Sequence, residues 1–85
     1  MEQQQLIKAI ITSVVPNGAH GPYAAAAIKE GRATDQFCTI DLNKDAGVWQ
    51  HDVWPKAGDG VMLSPVEHSG QWRAITARFV TPNCN

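Results

Sequence analysis

The segment spanning residues 54–79 constrains the fold more than any other part of this chain, because it contains a loop, a strand, a turn and a second strand. Residues 55–60 supply Pro, Gly and Asp, which favour turns, and residues 61–64 form a short apolar run. Ser and Gly at 69–70 then mark a reversal before a second strand-like run at 72–80. The pattern predicts a β-hairpin that closes a small β-domain.

Length and charge limit the kinds of site that the chain can form. With 85 residues, 44% of them hydrophobic, we expect one domain over residues 1–85 with a core at about 6–80. A core this small favours a shallow surface site over an internal cavity. Seven basic residues against eight acidic ones give a net charge of -1, which argues against gripping a duplex by bulk electrostatics.

The N-terminal sequence MEQQQ lacks the positive charge and the apolar run of a secretory signal. No stretch approaches the roughly 18 apolar residues of a membrane span. We therefore expect a soluble, cytoplasmic protein with no membrane partner.

Three further segments, at residues 6–15, 23–28 and 36–42, have strand character. Residues 6–15 are rich in β-branched side chains, and strict alternation places Ile7, Ala9, Ile11, Ser13 and Val15 on one face. Residues 23–28 carry four alanines, which favour helix, but the segment is short and is interpreted as a strand with small side chains.

Residues 36–42 alternate well, with Cys38, Ile40 and Leu42 facing inward.

In the last strand, residues 72–80, the alternating set better suited to the core is Ile75, Ala77 and Phe79. This assignment leaves outward the alternating set Trp72, Ala74, Thr76 and Arg78.

Five short strands with a longer connection between the third and the fourth predict an all-β fold, a small five-stranded β-barrel that is OB-fold-like. An SH3-like barrel is the second choice.

The pattern resembles the cold-shock proteins and related one-domain RNA-binding proteins of the OB-fold class, which include the small bacterial translation initiation factor. The resemblance consists of an opening strand at 7–15, a Gly-containing turn leading to an aromatic-bearing strand at 17–23, and Gly-Asp-Gly-Val at 58–61 before a late strand. Of the closely spaced aromatic residues of that family, Tyr23 and Phe37 occupy comparable places. The resemblance covers most of the chain as a pattern and implies binding of single-stranded RNA or DNA.

The outward residues suggest how such binding would work. If the first three strands are neighbours, Lys8, Tyr23 and Phe37 share a face, and exposed rings can stack on bases. The alternative is that the two rings cap the barrel or pack under the 29–35 loop.

The last strand offers a second group. An outward Trp72 beside Arg78, with Arg73 nearby, is a good anchor for nucleic acid or protein, because both side-chain types bury planar surfaces. The alternative folds Trp72 over the barrel end, with Arg78 bonded to an acidic neighbour such as Asp41.

The remaining chemistry-bearing residues predict structure more than activity. One indole of Trp49 and Trp54 should plug the barrel bottom with its N–H bonded to backbone. Cys38 should be buried and Cys84 exposed in the tail, without a disulfide framework. Three histidines stand in separate predicted loops without zinc-ligand spacing, and no nucleophile has a preorganised base, so we expect no metal, no cofactor and no enzyme.

The sequence therefore favours a small nucleic-acid-binding module that uses Lys8, Tyr23 and Phe37, extended by Trp72, Arg73 and Arg78. The alternative is a protein-interaction module, such as an accessory or inhibitory protein of a phage or mobile element, for which near-neutral charge and three tryptophans also fit. A homodimer through an edge strand is a further option for a small barrel.

Overall fold

The architecture is taken from a computed structural model that describes residues 6–31 and 34–80. These residues form five strands and one short 3-10 helix. The strands are β1 (Ile7–Val15), β2 (Tyr23–Ile28), β3 (Phe37–Asp41), β4 (Gly60–His68) and β5 (Gln71–Phe79), and the 3-10 helix is Lys44–Ala46.

The strands close into a barrel in the order β1-β2-β3-β5-β4. All neighbouring pairs are antiparallel except β3 and β5, which run parallel. The predicted all-β, five-stranded, OB-fold-like barrel is therefore confirmed. The β1–β4 ladder ends at Ile10 of β1 and the β3–β5 ladder has two pairs, so parts of β1, β4 and β5 have a ladder on one side only. The homodimer through an edge strand stays a prediction.

The alanines of β2 fit a narrow barrel interior. Ala24, Ala26 and Ile28 are fully buried, and the residues between them face outward. Small inward side chains leave room for the larger Ile11 and Ile40 from the adjacent strands. Pairing with β1 and β3 on either side outweighs the helical preference of alanine, and the strand interpretation of 23–28 is confirmed.

A β-bulge at Thr12 corrects the predicted faces of β1. Ile11 pairs with Ala26 and Ser13 pairs with Ala25, so Thr12 is an extra residue on its strand. Beyond this point the alternation is inverted: Ser13 is exposed and Val14 packs against the core. The prediction that Ser13 and Val15 share the inner face with Ile11 is therefore wrong.

A second bulge corrects the faces of β5. Thr76 pairs with Ser64 of β4 and Ala74 pairs with Pro65, which leaves Ile75 unpaired on that side. Ile75 is accordingly 40% exposed, whereas Ala74 is buried. The predicted inward Ile75 and outward Ala74 are both wrong.

Trp72 also differs from the sequence prediction. Its side chain is half-buried and packs against the core, because it lies on the inner side of β5 before the bulge. The outward assignment of Trp72 is wrong and that of Arg78 is confirmed. Arg73 is exposed as well, although strict alternation places it in the same set as Ile75.

The hairpin between β4 and β5 has the predicted turn. Ser69 and Gly70 both have positive φ, 55° and 80°, as a tight two-residue turn of type I′ requires.

The connection between β3 and β4 packs against the part of β5 that does not pair with β3. Trp49 forms a parallel bridge with Ala77, and its indole N–H donates to the carbonyl of Val53 at 2.8 Å. The Trp49 ring meets the Phe79 ring edge-on, with centroids 4.9 Å apart. Trp49 is therefore the indole that packs against the core with its N–H bonded to backbone, as predicted for one of the two, while Trp54 is 40% exposed.

The predicted burial of Cys38 is confirmed, whereas Cys84 lies outside the described residues. No helix of the described chain is both long enough and apolar enough to cross a membrane.

Candidate functional site

The six residues singled out from the sequence lie at three places on the barrel wall. Phe37, Trp72 and Arg73 come together where β3 meets β5, Lys8 and Arg78 flank β4, and Tyr23 stands apart at the start of β2.

The β3–β5 junction carries a surface groove with a volume of about 310 Å³. Two aromatic side chains, Phe37 and Trp72, line it together with polar and small residues, namely Gln36, Thr39, Gly70 and Gln71. None of these six lining residues is charged. We call this the β3–β5 groove.

The parallel register between β3 and β5 brings the two aromatic residues together. Cys38 pairs with Trp72, and Thr39 pairs with Arg73. Phe37 precedes the buried Cys38 and therefore faces outward, where its side chain is 64% exposed. The groove thus has one freely exposed ring and one ring anchored against the core.

Arg73 stands next to the groove on the outer surface. It pairs with Thr39 of β3 on one side and with Val66 of β4 on the other, and it is exposed. Glu67 of β4 pairs with Trp72 and is exposed, so a carboxylate lies across the hairpin from Trp72.

Tyr23 lies on the outer surface but away from the groove. It pairs with Asp41, whereas Phe37 pairs with Ala27. The two rings are therefore four positions apart along the ladder, roughly 13 Å at about 3.3 Å per residue.

The Tyr23 ring packs over the loop between β1 and β2. A Cβ placed on Gly18 would lie 2.9 Å from two carbon atoms of the ring. The ring is 37% exposed. The structure thus places Tyr23 at the loop end of the outer surface, where it covers Gly18.

Lys8 and Arg78 lie on β1 and β5, and each pairs with Met62 of β4. Both are exposed. The backbone N–H of Lys8 donates to a carboxylate oxygen of Glu30 at 2.8 Å.

Two groups of the kind that enzymes use in catalysis, the Cys38 thiol and the His51 imidazole, are not among the residues that line the β3–β5 groove. Burial raises the pKa of the Cys38 thiol to about 12, which keeps it protonated and without nucleophilic character at neutral pH. His51 accepts the backbone N–H of Phe79 through Nε2 at 3.0 Å, a structural contact. Within 6–31 and 34–80, no three His, Cys, Asp or Glu side chains are grouped as a metal ion requires.

No protein-family model, curated protein or solved structure matches this chain. The OB-fold-like description therefore depends on strand order and register.

Sequence reasoning missed three residues of the groove, namely the polar Gln36 and Gln71 and the small Gly70. The sequence marks Gly70 only as a turn former, and Gln71 follows it directly. The signal available was position, because residues that begin a strand after a tight turn lie at the rim of a barrel. The parallel β3–β5 pairing that brings Gln36 beside them has no local sequence pattern.

Proposed function

We propose that this protein binds single-stranded nucleic acid, with one base seated in the β3–β5 groove between Phe37 and Trp72. The observation that carries the proposal is the groove itself, which combines an exposed ring, an anchored indole and uncharged polar side chains at the surface of a small barrel.

The groove chemistry suits a nucleobase. A base offers a flat π-face, and a stacked base contributes about 1–3 kcal/mol to binding. Its polar edge needs both donors and acceptors, which the amides of Gln36 and Gln71 and the hydroxyl of Thr39 provide. An uncharged lining fits a neutral base better than it fits a free anion.

Arg73 supplies the charge that the groove lacks. Its guanidinium is exposed beside Thr39 and suits a phosphate next to the seated base. Because the whole chain has a net charge of -1, attraction is local, and binding should be of modest affinity and weaken with salt.

Substitutions at Phe37 test the proposal, with fluorescence anisotropy of labelled oligonucleotides at low salt as the measurement. Phe37→Ala should weaken binding by about 1–3 kcal/mol, Phe37→Tyr should retain it, and Phe37→Leu should behave like alanine because it lacks a π-face. Val53→Ala, which trims another exposed apolar residue, is the matched control. Equal binding by Phe37→Leu and Phe37→Tyr would mean that stacking is not the interaction.

A protein-interaction module is the second candidate, favoured by a different observation. Val53 and Trp54 are adjacent in the β3–β4 connection and are 69% and 40% exposed. An exposed tryptophan beside an apolar residue is a common anchor for a protein partner.

A further inference from the structure

A second surface lies where β1, β4 and β5 are neighbours. Lys8 pairs with Met62, and Met62 pairs with Arg78, so the three residues are side by side across three strands. The residues that follow them in the chain are buried, so the three side chains face outward; these neighbours are Ala9, Leu63 and Phe79, the last only partly buried. We call this the Lys8–Met62–Arg78 row.

We propose that the Lys8–Met62–Arg78 row is a second contact for the same single-stranded nucleic acid and holds its backbone; this inference rests on the proposed function. Across the three strands, the row places a cation, then a half-buried apolar side chain, then a second cation. In a single strand, each base is attached to a sugar that lies between two consecutive phosphates, so one nucleotide presents a base flanked by two phosphates. Lys and Arg pair with phosphates, and the polarisable thioether of Met makes favourable contacts with aromatic faces.

The dimensions of the row fit this role. Adjacent strands are about 4.8 Å apart, so the Cα atoms of Lys8 and Arg78 are separated by roughly 10 Å. Long side chains at that separation can reach phosphates on both sides of one nucleotide.

β5 connects the row to the groove. Arg73 beside the groove and Arg78 in the row are both exposed on this strand, five positions apart, or roughly 16 Å. A ligand must therefore exceed a minimum length to reach both places. Barrels of this class contact about 4–16 nucleotides, so a short oligonucleotide fills the groove alone and a long one also covers the row.

Glu30 gives the row a testable charge dependence. Its carboxylate accepts the backbone N–H of Lys8 and places negative charge next to the row. Glu30→Gln keeps an acceptor oxygen and removes the charge. It should therefore strengthen binding of a long oligonucleotide and leave a short one unchanged.

The deciding experiment compares two double variants that remove equal charge. Lys8→Ala with Arg78→Ala changes the row, and Lys44→Ala with Lys56→Ala removes two exposed lysines from the β3–β4 connection. Binding of oligothymidylates of about 4 and about 12 nucleotides is measured by anisotropy over a range of salt, lengths chosen within the span that one barrel contacts. Thermal unfolding followed by circular dichroism checks that each variant folds.

We expect the row variant to bind the long oligonucleotide about tenfold more weakly at low salt and the short one unchanged. Its slope of log affinity against log salt should fall by about 1.4, which is roughly 0.7 for each phosphate that the variant no longer neutralises. The lysine control should keep the original slope.

Two results would overturn the inference and leave the proposed function standing. One is an equal weakening in both double variants, which would indicate bulk charge; the other is unchanged long-oligonucleotide binding by the row variant while Phe37→Ala still weakens it. Absence of binding by the unsubstituted protein at either length would instead overturn the proposed function, and this inference with it.

Discussion

At the scale of single residues, His51 shows how a side chain completes the backbone hydrogen bonding of this barrel. β5 gives its N–H at Ala77 to the carbonyl of Val48, and Gln50 returns an N–H to the carbonyl of Ala77. At Phe79 the acceptor is Nε2 of His51, whose ring lies 4.8 Å from the Phe79 ring. This role needs a neutral imidazole with a free lone pair on Nε2. No sequence pattern links His51 to a partner 28 residues away.

Cys38 supports a prediction at the same scale. Burial raises the pKa of its thiol to about 12 from an ordinary value of 9.0, so in the folded state the thiol stays protonated and shielded. In a Cys84→Ser variant, an alkylating reagent at about pH 8 should leave Cys38 unmodified until denaturant is added, as mass spectrometry would show.

The same shift fixes the direction of a pH effect on stability. Because the unfolded chain releases this proton at lower pH than the folded chain does, the contribution is fully present below about pH 9 and is lost as the pH rises toward 12. A Cys38→Ala variant should lack this alkaline loss. Rapid labelling of native Cys38 at pH 8 would contradict the burial on which both expectations depend.

At the scale of the elements, the sequence predicts where the strands lie better than it predicts which of their side chains point into the barrel. All five strands are found, because alternation, β-branched residues and turn formers are local signals. The faces of β3 are also as predicted. Those of β1 and β5 change at Thr12 and Ile75, because a bulge depends on the partner strand and leaves no local pattern.

A pair of alanine substitutions tests whether β5 contains the bulge that turns Ile75 outward. Ile40→Ala should lower the free energy of unfolding by about 2–5 kcal/mol, because its side chain is fully buried. Ile75→Ala removes the same atoms from a side chain that is 40% exposed and should cost less than about 1 kcal/mol. Denaturant unfolding gives both values. Equal losses of stability at the two positions would indicate that Ile75 faces inward and that β5 has no bulge.

At the scale of the whole molecule, the barrel places its three tryptophans in three environments. Trp72 lines the β3–β5 groove, Trp49 packs against the core and the Phe79 ring, and Trp54 is exposed on the connection. The sequence predicted the barrel and an indole N–H bonded to backbone in the β3–β4 connection. It did not predict the groove, because that site depends on the parallel contact between β3 and β5, two strands that are not consecutive in the chain and share no local sequence pattern.

These environments make intrinsic fluorescence a test of which surface binds, with Trp72→Phe and Trp54→Phe as the variants. A base stacked in the groove lies against Trp72, so titration with an oligonucleotide should change tryptophan emission in the unsubstituted protein and in Trp54→Phe. Trp72→Phe keeps an aromatic ring in the groove and should bind while losing most of the emission change. Anisotropy of a labelled oligonucleotide confirms that binding persists in each variant. If the emission change instead survives in Trp72→Phe and disappears in Trp54→Phe, the oligonucleotide contacts the exposed connection, and the β3–β5 groove is not the binding site.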